Sequence, residues 1–186
     1  MNKTTSLQRN YGLGWYTINE KCNAVIAELK DKWISSQGTF NIRQIKPKES
    51  FSTKEFIQKT LIEKGGIGFH KLYYDAELID LYDSFNEKGA GFWLLMNKDQ
   101  IVGTIGLRTD PNTRIGVISK LYLKNEASAH AVSLLKVAQS FAKRHGAVFC
   151  TLEVETRDDL IKTAVESSSF KLSKTENSAM FYTCQF

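Results

Sequence analysis

The stretch from Gly91 to Val154 restricts the fold more than any other part of the sequence. Three runs rich in β-branched and aromatic residues follow one another, with turn-forming stretches at Asn97–Asp99 and Thr109–Asn112 between them. The predicted strands are Gly91–Met96, Gln100–Arg108 and Arg114–Leu123. A helical pattern and a fourth apolar run then follow. Three strands joined by short turns form an antiparallel meander, and a strand–helix–strand crossover adds a parallel pair.

The helix after the meander has the clearest boundaries in the chain. Its apolar residues recur at helical spacing and share one face: Ala131, Leu134, Leu135, Ala138, Phe141 and Ala142. Basic residues stand in its last turn and Gly146 follows, as expected at a helix C-terminus. We predict a helix from about Ser128 to His145 and a strand from Val148 to Val154.

Weaker patterns complete the chain on both sides of this unit. Ser52 and Glu55 form a possible capping box, with Phe51 and Phe56 at hydrophobic-staple positions. The remaining predicted elements are a strand at Phe40–Ile45, helices from Ser52 to near Gly65, at Asp75–Glu87 and at Asp158–Glu166, and strands at Phe170–Leu172 and Ala179–Phe186. The predicted order is β-α-α-β-β-β-α-β-α-β-β, a mixed α/β fold with a mostly antiparallel sheet.

The first 38 residues read as an N-terminal extension, followed by one α/β domain over residues 39–186. The extension carries an amphipathic helix at Thr17–Ile34, which begins with a capping box of Thr17 and Glu20. Its apolar face includes Val25, Leu29 and Trp33 and needs a cover, which is either the domain of the same chain or a second copy. We favour the second copy, which forms a homodimer.

Composition excludes several classes of function. The net charge is +5, but the basic residues are dispersed, which argues against nucleic-acid binding. No apolar run is long enough to span a bilayer and the N-terminus lacks a signal peptide, so we expect a cytoplasmic protein that does not contact a membrane.

Cys22, Cys150 and Cys184 are far apart in apolar surroundings, and the three histidines lack neighbours at metal-ligand spacing. We predict buried free thiols and no metal site.

Two stretches resemble the GNAT superfamily of acyl-coenzyme A-dependent N-acyltransferases. "GFWLLMNKDQIVGTIGLR" is similar to the hairpin of its strands 2 and 3, and "GVISKLYLKNEASAHAVSLLKVAQSFAKRHG" to its cofactor-binding strand 4 and helix 3. The resemblance covers roughly residues 40–186. It implies a mostly antiparallel central sheet with one splayed parallel strand pair and helices on both faces.

The resemblance also implies where acetyl-coenzyme A binds. Backbone groups of Leu121, Tyr122 and Leu123 correspond to those that pair with the pantetheine arm. The pyrophosphate corresponds to the helix N-terminus, where free amides attract anions; the matching residues are Ser128, Ala129, His130 and Ala131. The family pattern of Arg or Gln, then Gly, then Gly or Ala reads Glu126, Ala129 and Ala131 in this sequence. Glu126 places a carboxylate where the family has a residue that favours phosphate.

The usual proton-transfer residues of the family are absent. Val165 stands in place of its tyrosine acid and Val117 in place of its strand 4 carboxylate. Glu153 and Glu155 remain as catalytic candidates, because strand alternation puts both on one face of the sheet at the exit of strand 5. Tyr122, Tyr182 and His70 are weaker candidates.

Two functions remain open from the sequence. One is an N-acyltransferase that moves an acetyl group from acetyl-coenzyme A to a primary amine of a small molecule or peptide. The other is a catalytically silent GNAT-like module that senses acyl-coenzyme A or binds a protein partner. The fold favours the first hypothesis, and the altered positions favour the second.

Overall fold

The structure, a computed structural model, describes residues 40–65 and 75–186. The predicted N-terminal helix and the division at residue 38 lie outside these residues. Within this described part of the chain, seven strands form one sheet in the order β1-β2-β3-β4-β5-β7-β6. The strands are β1 (Phe40–Gln44), β2 (Ala90–Asn97), β3 (Gln100–Asp110), β4 (Ile115–Leu123), β5 (Phe149–Glu155), β6 (Lys171–Glu176) and β7 (Ala179–Gln185).

Helices lie on both faces of this sheet. The α-helices are α1 (Ser50–Glu63), α2 (Leu81–Phe85), α3 (Ala131–Arg144) and α4 (Asp159–Glu166). Short 3₁₀ helices span Pro47–Glu49, Ala76–Leu78 and Asn125–His130. The only parallel strand pair among the described residues is β4 with β5, as the crossover predicts. The predicted fold class and order of elements are therefore confirmed.

Two hydrophobic clusters, one on each face, hold the helices to the sheet. On the face covered by α1 and α2, Ile57, Leu81 and Phe92 are almost fully buried. On the face covered by α3 and α4, Leu134 and Val165 are fully buried. Burying one such side chain contributes about 1.5–3 kcal/mol. Because successive residues of β2 alternate between the two clusters, this central strand is apolar along nearly its whole length.

Helix α1 begins differently from the prediction. The expected capping box at Ser52 and the staple at Phe51 are wrong, since α1 starts at Ser50 and Phe51 is 71% exposed. Pro47 opens a 3₁₀ turn, and the Glu49 carboxylate accepts a hydrogen bond from the Lys46 amide at 2.8 Å. Arg43 also holds Glu49, at 2.6 and 2.7 Å. This contact with β1 fixes the start of the helix one turn early.

The single helix predicted at Asp75–Glu87 is broken into a 3₁₀ turn and α2. The Asp80 carboxylate accepts hydrogen bonds from the Asp83 amide at 3.1 Å and from the Ser50 hydroxyl at 2.7 Å. Asp80 thus caps a new helix and ties it to α1. Ile79, at the break, is 81% exposed.

Candidate active site

Strands β4 and β5 separate partway along their length. Their parallel pairing joins Ile115–Ile118 to residues 149–152 and then stops. Beyond that point β4 continues to Leu123 beside β3, whereas β5 continues to Glu155 beside β7. The predicted splay is therefore present. The backbone edge of residues 119–123 that faces β5 pairs with no other strand in the described part of the chain.

A β-bulge shapes β4 at the start of this opening. Thr104 lies opposite Tyr122 and Gly106 opposite Ser119, so two residues of β4, Lys120 and Leu121, face a single residue of β3. Lys120 has φ of 53°, a conformation uncommon for a residue with a side chain. The buried Thr104 hydroxyl donates a hydrogen bond to the Lys120 carbonyl at 2.8 Å. The bulge is thereby held from within the core.

A cleft of about 620 Å³ fills the opening. Four of the residues predicted for the site line it: Leu121, Tyr122, Glu153 and Glu155. Leu152 and Val154 face the α3/α4 cluster, so the alternating Glu153 and Glu155 lie on the α1/α2 face, as strand alternation predicts.

The Tyr122 phenol lines this cleft together with several carboxylates. Burial, together with the negative charges of Asp75, Glu155 and Asp158, raises the pKa of Tyr122 to about 12. The phenol therefore stays protonated near neutral pH, where it can donate a hydrogen bond but cannot act as a base.

Two lysines pair with acidic residues at the cleft. Lys120 contacts Asp75 at 2.5 Å and Glu77 at 2.8 Å, and Lys64 contacts Asp158 at 2.7 Å. Burial opposes ionisation of Glu77, but the hydrogen bonds and charges of Lys120 and Arg108 outweigh it and lower the Glu77 pKa. Lys120 thus pairs with two carboxylates at the cleft.

Comparison with known proteins relates this geometry to a fold family. No protein-family model matches the sequence, and no curated protein matches it. Among solved structures, an acetyltransferase of the GNAT family from Staphylococcus aureus Mu50 superposes with a TM-score of 0.65 at 18% identity, covering 78% of this chain and 98% of its own. This protein has the GNAT fold.

Two further GNAT-fold neighbours were crystallised with ligands. PaiA N-acetyltransferase from Thermoplasma acidophilum, in complex with coenzyme A, superposes with a TM-score of 0.65 at 18% identity, covering 80% of this chain and 100% of its own. The putative acetyltransferase yncA from Salmonella typhimurium, with acetyl-CoA, superposes with a TM-score of 0.59 at 14% identity, covering 80% of this chain and 94% of its own. At these identities the similarity establishes the fold.

The residues predicted for the pyrophosphate belong to the end of the 125–130 helix and the start of α3. Ser128, Ala129, His130 and Ala131 do not line the cleft, although Asn125 does. Ala131 and Leu123 are fully buried, and the His130 ring stacks on Phe40 at 4.3 Å. The α-helix predicted to start at Ser128 starts at Ala131, after the 3₁₀ helix at 125–130. The first backbone amides of a 3₁₀ helix have no hydrogen-bond acceptor within the helix. The amides that could donate hydrogen bonds to an anion in this GNAT fold therefore lie near Asn125 and Glu126.

The two valines at the family's proton-transfer positions have different surroundings. Val117 is half exposed and lines the cleft, whereas Val165 is fully buried in the α3/α4 cluster. Tyr182 is also buried and donates a hydrogen bond to Glu166 at 2.8 Å. Burial and Glu166 raise the Tyr182 pKa to about 12. His70 lies outside the described residues, so Glu153, Glu155 and Tyr122 are the candidates that the described cleft retains.

Sequence reasoning missed the acidic and basic residues that reach the cleft from other elements. Asp75, Lys64 and Asp158 line it, but the sequence marks them only as helix termini. No local pattern connects them, because their proximity depends on how α1 and α4 pack.

Within the described residues, no group of His, Cys, Asp and Glu side chains is arranged to hold a metal, and no helix has the length and apolarity of a membrane span.

Proposed function

We propose that this protein is an N-acyltransferase that moves an acetyl group from acetyl-coenzyme A to a primary amine. The observation that carries this proposal is the opening between β4 and β5, where the backbone edge of residues 119–123 faces a cleft of about 620 Å³. An extended amide-containing chain can pair with such an edge as an added strand does. The pantetheine arm of coenzyme A has this chemistry.

The diphosphate of the donor fits the structure less well. The free amides at the start of the 125–130 helix and the positive end of the helix dipole favour an anion beside Asn125. Glu126 opposes it from the same turn, but its side chain is exposed and water screens its charge. We infer that the donor binds, and that it binds weakly.

The charge of the cleft supports a cationic acceptor. Among the residues that the structure describes, five carboxylates and three basic side chains line the cleft, although the whole protein has a net charge of +5. The carboxylates are Asp75, Glu153, Glu155, Asp158 and Asp159. An excess of negative charge in a cleft raises the local concentration of ammonium groups.

The proposed reaction assigns one step to the protein's own carboxylates. The acceptor nitrogen, once neutral, attacks the thioester carbonyl carbon, and the carbon–sulfur bond breaks as the new amide bond forms. Glu153 or Glu155 takes the proton that the nitrogen loses, and a proton then returns to the departing thiolate. Tyr122 remains protonated and supplies a hydrogen-bond donor in the same cleft.

Coenzyme A and acetyl-coenzyme A are expected to raise the melting temperature. At a free ligand concentration of about 100 times the dissociation constant, binding adds about 2.7 kcal/mol to stability, roughly 5–10 °C for a protein of this size. A thermal-shift titration up to millimolar concentrations measures this. If neither compound nor a longer acyl derivative changes the melting temperature, the transferase proposal is wrong.

Glu126→Gln is expected to tighten coenzyme A binding by about 2- to 5-fold, because it removes an exposed negative charge near the diphosphate. The dissociation constants from the same titration test this. Glu176→Gln, at another exposed position, is the matched control. Equal affinities for Glu126→Gln and wild type would mean that the Glu126 carboxylate does not act on the bound donor.

The alternative function is a silent module that binds acyl-coenzyme A without transferring the acyl group. The observation in its favour is that Val117 and Val165 cannot transfer a proton and that Val165 is fully buried. A melting temperature that rises with acetyl-coenzyme A, combined with no coenzyme A release for any amine, would select this alternative. The screen covers polyamines, aminoglycosides, amino acids and peptides.

A further inference from the structure

The three most exposed large apolar side chains of the described residues lie on α1 and just before α2. Ile79 is 81% exposed, Phe51 71% and Ile62 62%. Phe51 and Ile62 both belong to α1, about three helical turns or about 16 Å apart on the same side of the helix. The opposite side of α1 is buried against the sheet, where the helix packs on β3 and β4. The outer side of α1 therefore carries apolar groups at both of its ends.

Hydrogen bonds between α1 and the start of α2 bring Ile79 to the same surface. The Ser50 hydroxyl donates to the Asp80 carboxylate at 2.7 Å and accepts from the Tyr82 amide at 3.0 Å. Phe51 and Ile79 are the chain neighbours of Ser50 and Asp80, so their backbones lie side by side. We call Phe51, Ile62 and Ile79 the α1 patch. Clustered exposed apolar side chains of this kind mark surfaces that another element covers.

The sequence contains a segment whose apolar face has the length of this patch. Residues 1–39 lie outside the described residues and join the sheet at Phe40, the first residue of β1. Within them, the amphipathic helix predicted at Thr17–Ile34 repeats apolar residues from Cys22 to Trp33 on one face. These two residues are also about three turns apart in a helix. The predicted face thus matches the distance between Phe51 and Ile62.

The covalent link to β1 keeps this segment within reach of α1. In the sheet, β1 is two strands, or about 10 Å, from β3, on which α1 packs. Residues 35–39 can span about 20 Å between Ile34 and Phe40 when extended, and the predicted helix is about 27 Å long. A short tether also holds the segment at an effective concentration in the millimolar range, well above that of a second copy at micromolar protein.

We propose that the helix predicted at residues 17–34 packs along the outer side of α1 of the same chain and covers the α1 patch. Leu61 and Lys64, at the end of α1, line the cleft, so the docked segment supports one wall of the cleft from outside. A patch within reach on the same chain makes a second copy unnecessary as a cover. The homodimer expected from the sequence is therefore an alternative outcome of the test.

Replacing both α1 residues of the patch by Ala separates a covered patch from an exposed one. Ala is the best helix former, so Phe51→Ala with Ile62→Ala would leave the melting temperature unchanged or raise it if both side chains faced water. Docking predicts the opposite, a fall of about 5–10 °C, because the two substitutions remove buried apolar contacts. Leu172→Ala, at a 51% exposed position in β6, is the matched control and should shift it by no more than about 2 °C. A double variant that melts at or above the wild-type temperature would overturn the proposal.

The segment side of the contact is tested in the same full-length chain. Leu29→Ala with Trp33→Ala is expected to lower the melting temperature by a similar amount. Combined with the two α1 substitutions, it should add little to the loss from either pair alone, because residues that share one interface are not additive. Losses that simply add would mean that the two faces do not pack on each other.

A photo-cross-link identifies the occupant directly and does not depend on stability. Benzoylphenylalanine placed at position 51 is irradiated in the otherwise unchanged full-length protein, and the cross-linked peptides are identified by mass spectrometry. We expect a cross-link to a residue within 17–34, in protein that still migrates as a single chain on a denaturing gel. The same cross-link in a band of twice the mass would show that the segment of a second copy covers the patch, which contradicts docking within one chain. Cross-links only to other residues, or none, would refute docking of this segment.

Discussion

Glu155→Gln is expected to lower kcat for acetyl transfer by about 10²- to 10⁴-fold, the range over which a positioned base accelerates a reaction. Both Glu153 and Glu155 line the cleft, but the negative charge of Glu155 also helps to raise the pKa of Tyr122 in β4. We therefore expect the larger loss from Glu155→Gln and a smaller one from Glu153→Gln. Initial rates of coenzyme A release with the best acceptor measure both.

The affinity of the Gln variants for coenzyme A distinguishes the loss of a catalytic base from damage to the binding site. Gln has nearly the shape of Glu, so the thermal shift with coenzyme A should match that of wild type in both variants. Glu176→Gln in β6 changes the same charge at an exposed position and should keep the wild-type rate. Rates equal to wild type in both Glu153→Gln and Glu155→Gln would reject these residues as bases.

The elements that sequence reasoning placed correctly are those with local signals. Helix α3 has an apolar face with helical spacing, basic residues in its last turn and Gly146 at φ of 86°, and it ends one residue before the predicted end. The strands of the meander are separated by short turns, and their bounds differ from the predicted ones by no more than two residues. Such signals depend on neighbours in sequence and need no knowledge of tertiary contacts.

The predictions that failed involve contacts between residues of different elements. The start of α1 follows from the pairing of Glu49 with Arg43 in β1, and the break before α2 from the hydrogen bond between Asp80 and Ser50, which are 30 residues apart. In both places a contact with a residue of another element overrode the local pattern. Propensity is a weak guide wherever tertiary structure supplies a stronger partner.

The candidate site likewise contains residues that the sequence placed correctly and a contact that it could not reveal. Alternation along β5 placed Glu153 and Glu155 on one face without any structure, because side-chain direction in a strand depends on residue number alone. The ion pair of Lys64 and Asp158 joins residues 94 positions apart. No periodic pattern encodes that distance, since it follows from how α1 and α4 pack on either side of the splayed strands.

Gly116→Ala is expected to destabilise the protein by about 2–3 kcal/mol, or roughly 5–10 °C in melting temperature. Gly116 lies where β4 and β5 still pair, and a Cβ there would stand 2.9 Å from Cys150 Sγ and 3.0 Å from Ala142 Cβ. One of these buried groups must move, which would alter the angle at which the strands diverge.

Cys150→Ala removes the closer obstacle, so the double variant should recover at least about 1 kcal/mol relative to the sum of the single changes. Strict additivity would show that the overlap with Cys150 Sγ is not the cause of the lost stability. Val117→Ala, at a half-exposed position next to Gly116, should cost little stability.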